Sequence, residues 1–488
     1  MTWISHETSG RSTRRSPAKR AALHLLALLL IALPFAHIMV SSPVKAAVRH
    51  TVVATSGVAA PAGGNYFLFF DARLNARPEV VFDALLTGPS TTGVFVGDGM
   101  TTSTIALGGN PDPSAGNFGF VINPLVTSEG NVVFDANSSS IFKSNRREIV
   151  SIVQDGDQSP IGGTVTPIAH AANDGGTIAY LALMSGTTAT QGIFRTDGAQ
   201  TLTIARDDID APTGGRFTSL REPVINNRGQ VAFEAEMSGG SADFGIFRGE
   251  GGNLLPIFVA NQIAPGGATF EDFGNPVINA HGQVAVVASL TRSASRLGLF
   301  VGDGIQALAV ALDGQPAPKG GNYDSRAGFS TPLRINDRGE VAFHVGLAGG
   351  TSNRGIFRGN GEHTVTVALA GATAPGTTGA FQTFHDIKLL NNGRVAFVAT
   401  LAVGVGGVDF TNNMGIWIGS SDEDLQLVVR TGQVIDGKVL ARLPADPSGL
   451  SQFDMNEDAV VWIGSFRSNV RAIVFSRIGA EDEGSGQQ

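Results

Sequence analysis

Three stretches gather the side chains best suited to hold a ligand. GGRFTSLRE (214–222) carries Arg216, Arg221 and Glu222, NYDSRAG (322–328) carries Tyr323, Asp324 and Arg326, and AVGVGGVDFTNNM (402–414) carries Asp409, Asn412 and Asn413. Charged and amide groups beside an aromatic ring suit carbohydrate or peptide recognition, where hydrogen bonds orient the ligand and the ring supplies apolar contact. Arg221, Glu222, Tyr323, Asp324, Arg326, Asp409, Asn412 and Asn413 are the candidate ligand-binding set. Side chains for covalent or metal chemistry are less well placed. Six histidines follow residue 46 (His50, His170, His281, His344, His363 and His385), and none stands at zinc-ligand spacing from another. No G-x-S-x-G nucleophile elbow occurs. Asp207-Asp208-Ile209-Asp210 and Asp422-Glu423-Asp424 lack the residue order of a calcium loop. No catalytic residue, metal or cofactor is expected.

These groups must be positioned by a repeat. INNRGQVAF (225–233) has relatives in LNARPEVVF (74–82), VTSEGNVVF (126–134), ANDGGTIAY (172–180), INAHGQVAV (278–286), INDRGEVAF (335–343), LNNGRVAF (390–397) and MNEDAVVW (455–462). The closing residues fall at 82, 134, 180, 233, 286, 343, 397 and 462, so the spacings are 52, 46, 53, 53, 57, 54 and 65 residues. A period in this range marks a repeat architecture. Asn-x-x-Gly reads as a hairpin turn, because Asn bonds its own following N–H groups and Gly takes positive φ without steric cost.

After each turn come an apolar strand, a loop, a strand opened by Gly (Gly93-Val94-Phe95, Gly245-Ile246-Phe247, Gly415-Ile416-Trp417), a turn such as GDG, and a fourth strand. Four short strands per unit, eight times over, predict an all-β, eight-bladed β-propeller of four-stranded blades. A seven-bladed ring with the last unit displaced is the fallback. HTVVATSGVAAPAGG (50–64) matches HTVTVALAGATAPG (363–376), a fourth strand with its loop, whereas the last unit stops after AIVFSRI (472–478). The N-terminal strand is therefore expected to complete the last blade and close the ring. Pro124, Pro167, Pro223, Pro276 and Pro332 precede the turns, which suits an innermost, channel-facing edge strand. Arg195, Arg248 and Arg358 repeat after Ile-Phe in the third strand and are expected to pair at the surface or between blades.

The N-x-x-G-x-V-A-F pattern, with its GIFRG and APGG companions, resembles the bacterial tandem-repeat proteins known by an NxxGxxxAF motif, and the likeness spans 48–478. That resemblance implies export and, in many members, a C-terminal surface anchor of the choice-of-anchor kind. It implies no activity. GAEDEGSGQQ (479–488) is instead a polar, acidic tail without an apolar span.

Residues 1–46 read as a cleavable signal peptide. Arg11, Arg14, Arg15, Lys19 and Arg20 are followed by the apolar run ALHLLALLLIALPFA (22–36) and then by Val44-Lys45-Ala46. Pro17 and Ala18 break the twin-arginine pattern that Arg14-Arg15 begins, which favours the general secretory route. An uncleaved N-terminal membrane anchor is the alternative. The leader takes six basic residues and one acidic residue from totals of 34 and 42, which leaves a net charge of −13. Such a balance argues against nucleic acid as a partner, and a cysteine count of zero excludes disulfides and thiolate metal sites.

The domains expected are thus a signal peptide (1–46), a propeller (47–478) and a tail (479–488). The protein is expected to be a secreted or periplasmic monomer, with no stable membrane span after cleavage. Its role is to bind or scaffold an extracellular polysaccharide or an envelope protein. Polysaccharide hydrolysis or lysis is the alternative, because Glu222, Asp272, Asp324 and Asp386 lie in or near first strands and two converging carboxylates could serve that chemistry.

Overall fold

In the computed structural model, residues 47–479 are described except 62, 78, 138, 330–332 and 445–451. The predicted signal peptide, Pro332 and residues 480–488 of the tail lie outside them. No helix among the described residues is long and apolar enough to cross a membrane.

Eight antiparallel sheets follow one another along the chain, and they are blades 1 to 8. Blade 1 runs Asn65–Leu74, Val80–Thr87, Thr92–Gly97 and Thr102–Leu107, each strand paired with the next. The same order recurs in blades 2 (121–153), 3 (164–206), 4 (216–259), 5 (269–312), 6 (322–369) and 7 (381–430). Blade 8 takes its three inner strands from 438–478 and its outermost from Val48–Thr55, which pairs antiparallel with Arg471–Ile478 from Val48↔Ile478 to Thr55↔Ala472. The eight-bladed ring closed by the N-terminal strand is therefore observed, and the seven-bladed fallback is discarded. The long last spacing is taken up by the hairpin Val434–Ile435/Lys438–Arg442 and the segment that follows it.

Aromatic pairs cross the two middle strands of six blades, whereas Val286 faces Phe300 in blade 5 and Trp462 faces Val474 in blade 8. Phe82 stacks on Phe95, Phe134 on Phe142, Tyr180 on Phe194 and Phe233 on Phe247, with centroids 5.3–6.0 Å apart. Such pairs contribute about 0.5–1.5 kcal/mol each beyond area burial. The glycine near the start of the third strand in six blades is explained here; Ser140 and Ala472 take its place in blades 2 and 8. A Cβ on Gly93 would stand 2.6 Å from the Phe95 ring, and one on Gly415 2.5 Å from the Trp417 ring, so the ring lies flat over the glycine two residues before it.

An innermost-strand aromatic then packs edge-on against the third-strand ring, as Tyr66 does on Phe95 and Phe217 on Phe247. The opposite face of each blade is aliphatic and covers the next blade's rings. Val81 and Val94 pack with Phe134 and Phe142, Ile193 with Phe233, and Val398 and Ile416 with Trp462. The ring is completed where Val53, Ile473 and Phe475 of blade 8 meet Tyr66 and Phe82 of blade 1.

The Asn-x-x-Gly stretches are turns, and they also tie blades together. Asn226 Oδ1 accepts from the N–H groups of Arg228 and Gln230 (3.0 and 2.9 Å), and Gly229 has φ 79°. Its Nδ2 donates to the carbonyl of Asn279 in the next blade (2.8 Å). The same reach joins Asn173 to Asn226, Asn279 to Asn336, Asn336 to Leu390, and Asn456 of blade 8 to Asn75 of blade 1. Arg195 and Arg248 donate to the carbonyls of Gly229 and Gly282 in the following blade, and Arg358 to Ser420, which is the inter-blade pairing expected of them.

Candidate functional site at the channel mouth

The innermost strands have a free edge toward the channel, and their bulges decide what faces it. Register shifts interrupt them at Phe69/Ala72, Ile122/Leu125 and Pro167/Ala169 in blades 1 to 3. A bulge re-aims the side chains beside it. Pro124 and Pro167 sit at such bulges, whereas Pro223 and Pro276 lie in gaps that split the innermost strands of blades 4 and 5.

A cavity of about 280 Å³ opens there, lined by groups from four blades: Asp71 and Arg73, then Asn123 and Asp135, then Ile168 and His170, then Glu222. A second cavity of about 210 Å³ lies on the side of the Asn-x-x-Gly turns and shares Arg73 and Leu125 with the first. Larger grooves of about 780 and 590 Å³ lie along the outermost strands of blades 8 and 5. Those are lined mainly by Ala, Val, Thr and Ser, whereas the mouth cavity concentrates ionisable groups from four blades.

The polar groups of the mouth are ordered by one another. Asp135 accepts from Asn123 Nδ2 (2.9 Å) and faces His170 Nδ1 (3.2 Å). In the neutral ring this contact places the hydrogen on Nδ1 and leaves Nε2 as an acceptor. The His170 side chain is 9 % exposed, and its Nε2 has no hydrogen-bond partner among the described residues. An unsatisfied buried polar atom of this kind costs about 1–3 kcal/mol. Asp71 pairs with Arg73 at 3.3 Å. Glu222 is exposed on the cavity wall with no ion pair or hydrogen bond to its carboxylate among the described residues.

Behind this layer, Asp83 (1 % exposed) accepts from the backbone N–H groups of Asp71 and Asn123 and so ties blade 1 to blade 2. Burial raises its pKa to about 7 against the pull of those two N–H donors. Across the channel, Lys388 Nζ lies 3.9 Å from Asp386 and over the Phe453 ring, with its pKa lowered to about 8 by burial and by Arg334.

One position in the repeat supplies much of this. The residue after the closing residue of the repeat faces the next blade; it is Asp83, Asp135, Glu234 and His344 in four blades but Leu181, Val287, Val398 and Ile463 in the others. Glu234 is buried, and burial, then Asp272, raises its pKa to about 7. The unfolded chain releases that proton near 4.5, so the native state binds more protons between those values and loses stability as pH rises from about 4.5 to about 7. Thermal melts of Glu234→Gln should show a flatter profile than the parent across that window. Parallel profiles would remove Glu234 from the pH dependence.

The residues predicted from sequence do not form one site. NYDSRAG and GGRFTSLRE have the composition of loops between blades, but they contain the strands Asn322–Phe329 and Arg216–Leu220. Tyr323 is a core residue, 4 % exposed, with its ring edge-on to Phe357 at 5.4 Å. The alternation of the strand turns that ring inward, so it offers no platform. Asp324 pairs with Arg326 (3.2 Å) on blade 6, and Arg221 with Glu236 on blade 4. Asp409 accepts from Thr411 Oγ1 (2.6 Å), and Asn412 accepts from Arg430 (3.0 Å), so both order their own loop; Asn413 closes it through a backbone bond to Leu401 (2.7 Å). Only Glu222 of the predicted set lines the four-blade cavity. Asp71, Arg73, Asn123, Asp135 and His170 were missed.

Comparison with known proteins places this geometry in a family. The model described as "Family of unknown function (DUF7453)" matches residues 43–296 and 291–441. No curated protein matches. Among solved structures, a puromycin-hydrolysing peptidase of Mycobacterium tuberculosis is 10 % identical, with TM-score 0.39, over 81 % of this chain and 58 % of that one. The Dos1 propeller is 9 % identical with TM-score 0.39 over 88 % and 96 %, and prolyl oligopeptidase B from Galerina marginata is 10 % identical with TM-score 0.38 over 85 % and 56 %. The chain thus spans less than two thirds of either peptidase. None of these likenesses carries an activity across.

Proposed function

The chain belongs to the DUF7453 family, and we propose that it is an exported propeller that binds an extracellular polymer or an envelope protein through its channel mouth. The observation that carries this reading is the cavity built from blades 1 to 4, where polar groups of four blades converge. Two of its carboxylates are already engaged, Asp71 by Arg73 and Asp135 by Asn123 and His170. Glu222 is left free, which suits recognition better than the paired acid and base of a glycosidase. Export is supported by the basic, apolar and small-residue order of 1–46.

The test is a screen of the purified chain against glycan and peptide arrays, with product release followed on the same polymers. Ile168 is half exposed on the cavity wall, so Ile168→Trp should fill the cavity without disturbing the core. We expect saturable retention without turnover, lost in Ile168→Trp. Turnover that disappears in the same variant would replace binding with catalysis.

A further inference from the structure

We propose that the group seated in the mouth cavity is a cation on an apolar stem, the ammonium or guanidinium of a lysine- or arginine-bearing peptide; this rests on the channel mouth being the binding site. The cavity wall is rich in acceptors. Glu222 presents a free carboxylate, Asp135 a partly exposed one, and His170 a buried, unpartnered Nε2. Three carboxylates, Asp71, Asp135 and Glu222, stand against the single guanidinium of Arg73, whose Nη2 is paired with Asp71 while its Nε has no partner among the described residues.

A ligand matching such a wall must bring donors and few acceptors. Ammonium has three donors and no acceptor, and guanidinium five and none, whereas a sugar hydroxyl brings an acceptor with every donor. Ile168, half exposed beside these groups, gives the methylene stem an apolar wall. Size agrees, since about 280 Å³ falls just below the roughly 300–1,000 Å³ of pockets for drug-sized molecules and suits one side chain. Phe67 and Phe120, exposed on the innermost strand of blade 1 and just before that of blade 2, offer contact to flanking residues of a peptide. The net charge of −13 expected without the leader favours a basic partner at long range.

Fluorescence anisotropy on the full chain tests this with a labelled Gly-Lys-Gly-Lys-Gly peptide, its norleucine counterpart and its glutamate counterpart. The lysine peptide should bind saturably and the other two should not. Glu222→Gln should weaken binding about tenfold, as for the loss of one charge-assisted hydrogen bond. Glu362→Gln, which removes an equally exposed carboxylate from a distant turn, should leave it unchanged. Equal binding of the norleucine peptide, no effect of Glu222→Gln, or an equal loss in Glu362→Gln would overturn the inference. An array ligand that is neutral and blocked by Ile168→Trp, with no lysine-peptide binding, would overturn it while leaving the channel-mouth reading intact. If Ile168→Trp blocks nothing, both fall.

Discussion

A chain lacking Val48–Thr55 will melt on the order of 10 °C or more below the parent, or will fail to fold. These residues form the outermost strand of blade 8 and pair with Arg471–Ile478 over seven Cα partners. Each backbone hydrogen bond lost is worth about 0.5–1.5 kcal/mol net, and the deletion also uncovers Ile473, Val474 and Phe475, which are buried in the intact ring. His50 Nδ1 additionally meets Ser476 Oγ at 2.8 Å, the same hydroxyl that accepts from Trp462 Nε1 at 2.8 Å. Losing the strand therefore loosens the largest side chain of blade 8 as well as its edge. Removal of 1–46 alone is the reference, and a synthetic 47–60 peptide should restore part of the lost melting temperature. A deletion that melts within about 2 °C of the reference, a shift of roughly 1 kcal/mol or less, would show that blade 8 is stable with three strands and that closure contributes little.

The blades were legible because their signals are local. Asn226 and Gly229 turn the chain within four residues, and Gly245 makes room for the ring only two residues on, so each copy of the repeat announces its own geometry. Even the closing strand could be read, because HTVVAT repeats the pattern of HTVTVAL. The site was not legible for the opposite reason. Asp135 and His170 are 35 residues apart and belong to different blades; they meet at a bulge beside Pro167 that no hydropathy pattern encodes.

A usable signal did exist in the residue after each closing residue of the repeat, where an ionisable side chain replaces an aliphatic one in four copies. Such a replacement at an inter-blade position asks for a partner on the next blade. Tyr323 misled for a related reason. NYDSRAG has loop composition, but the alternation of Asn322–Phe329 sends the ring into the core and leaves the short polar side chains outside.

Asn279→Ala will cost about 2–4 kcal/mol, more than any exposed turn substitution, because this one side chain closes its own turn and holds the next blade. It is 3 % exposed. Oδ1 accepts from the N–H groups of His281 and Gln283 at 3.0 and 2.9 Å, while Nδ2 donates to Gln283 Oε1 at 2.8 Å and to the Asn336 carbonyl at 2.9 Å. Alanine leaves both sets of backbone groups without their partner. Asn279→Asp separates the two roles. It keeps the acceptor for the turn but sets a carboxylate oxygen against the Asn336 carbonyl, so its acid form is favoured in the native state. The deficit of the Asp variant should therefore shrink as pH falls, when a protonated carboxyl can donate across the junction, and the deficit of the Ala variant should not. Asn227→Ala removes an exposed cross-blade contact to Asp174 and should cost less than about 1 kcal/mol. Denaturation midpoints at pH 5 and pH 8 distinguish these outcomes. If Asn279→Ala costs no more than Asn227→Ala, the blades are joined by their apolar faces alone and the asparagines serve only their own turns. A larger loss in Asn279→Ala, with recovery of the Asp variant in acid, makes the Asn-x-x-Gly motif the device that sets blade against blade, and explains why one sequence feature recurs at the turn between innermost and second strands.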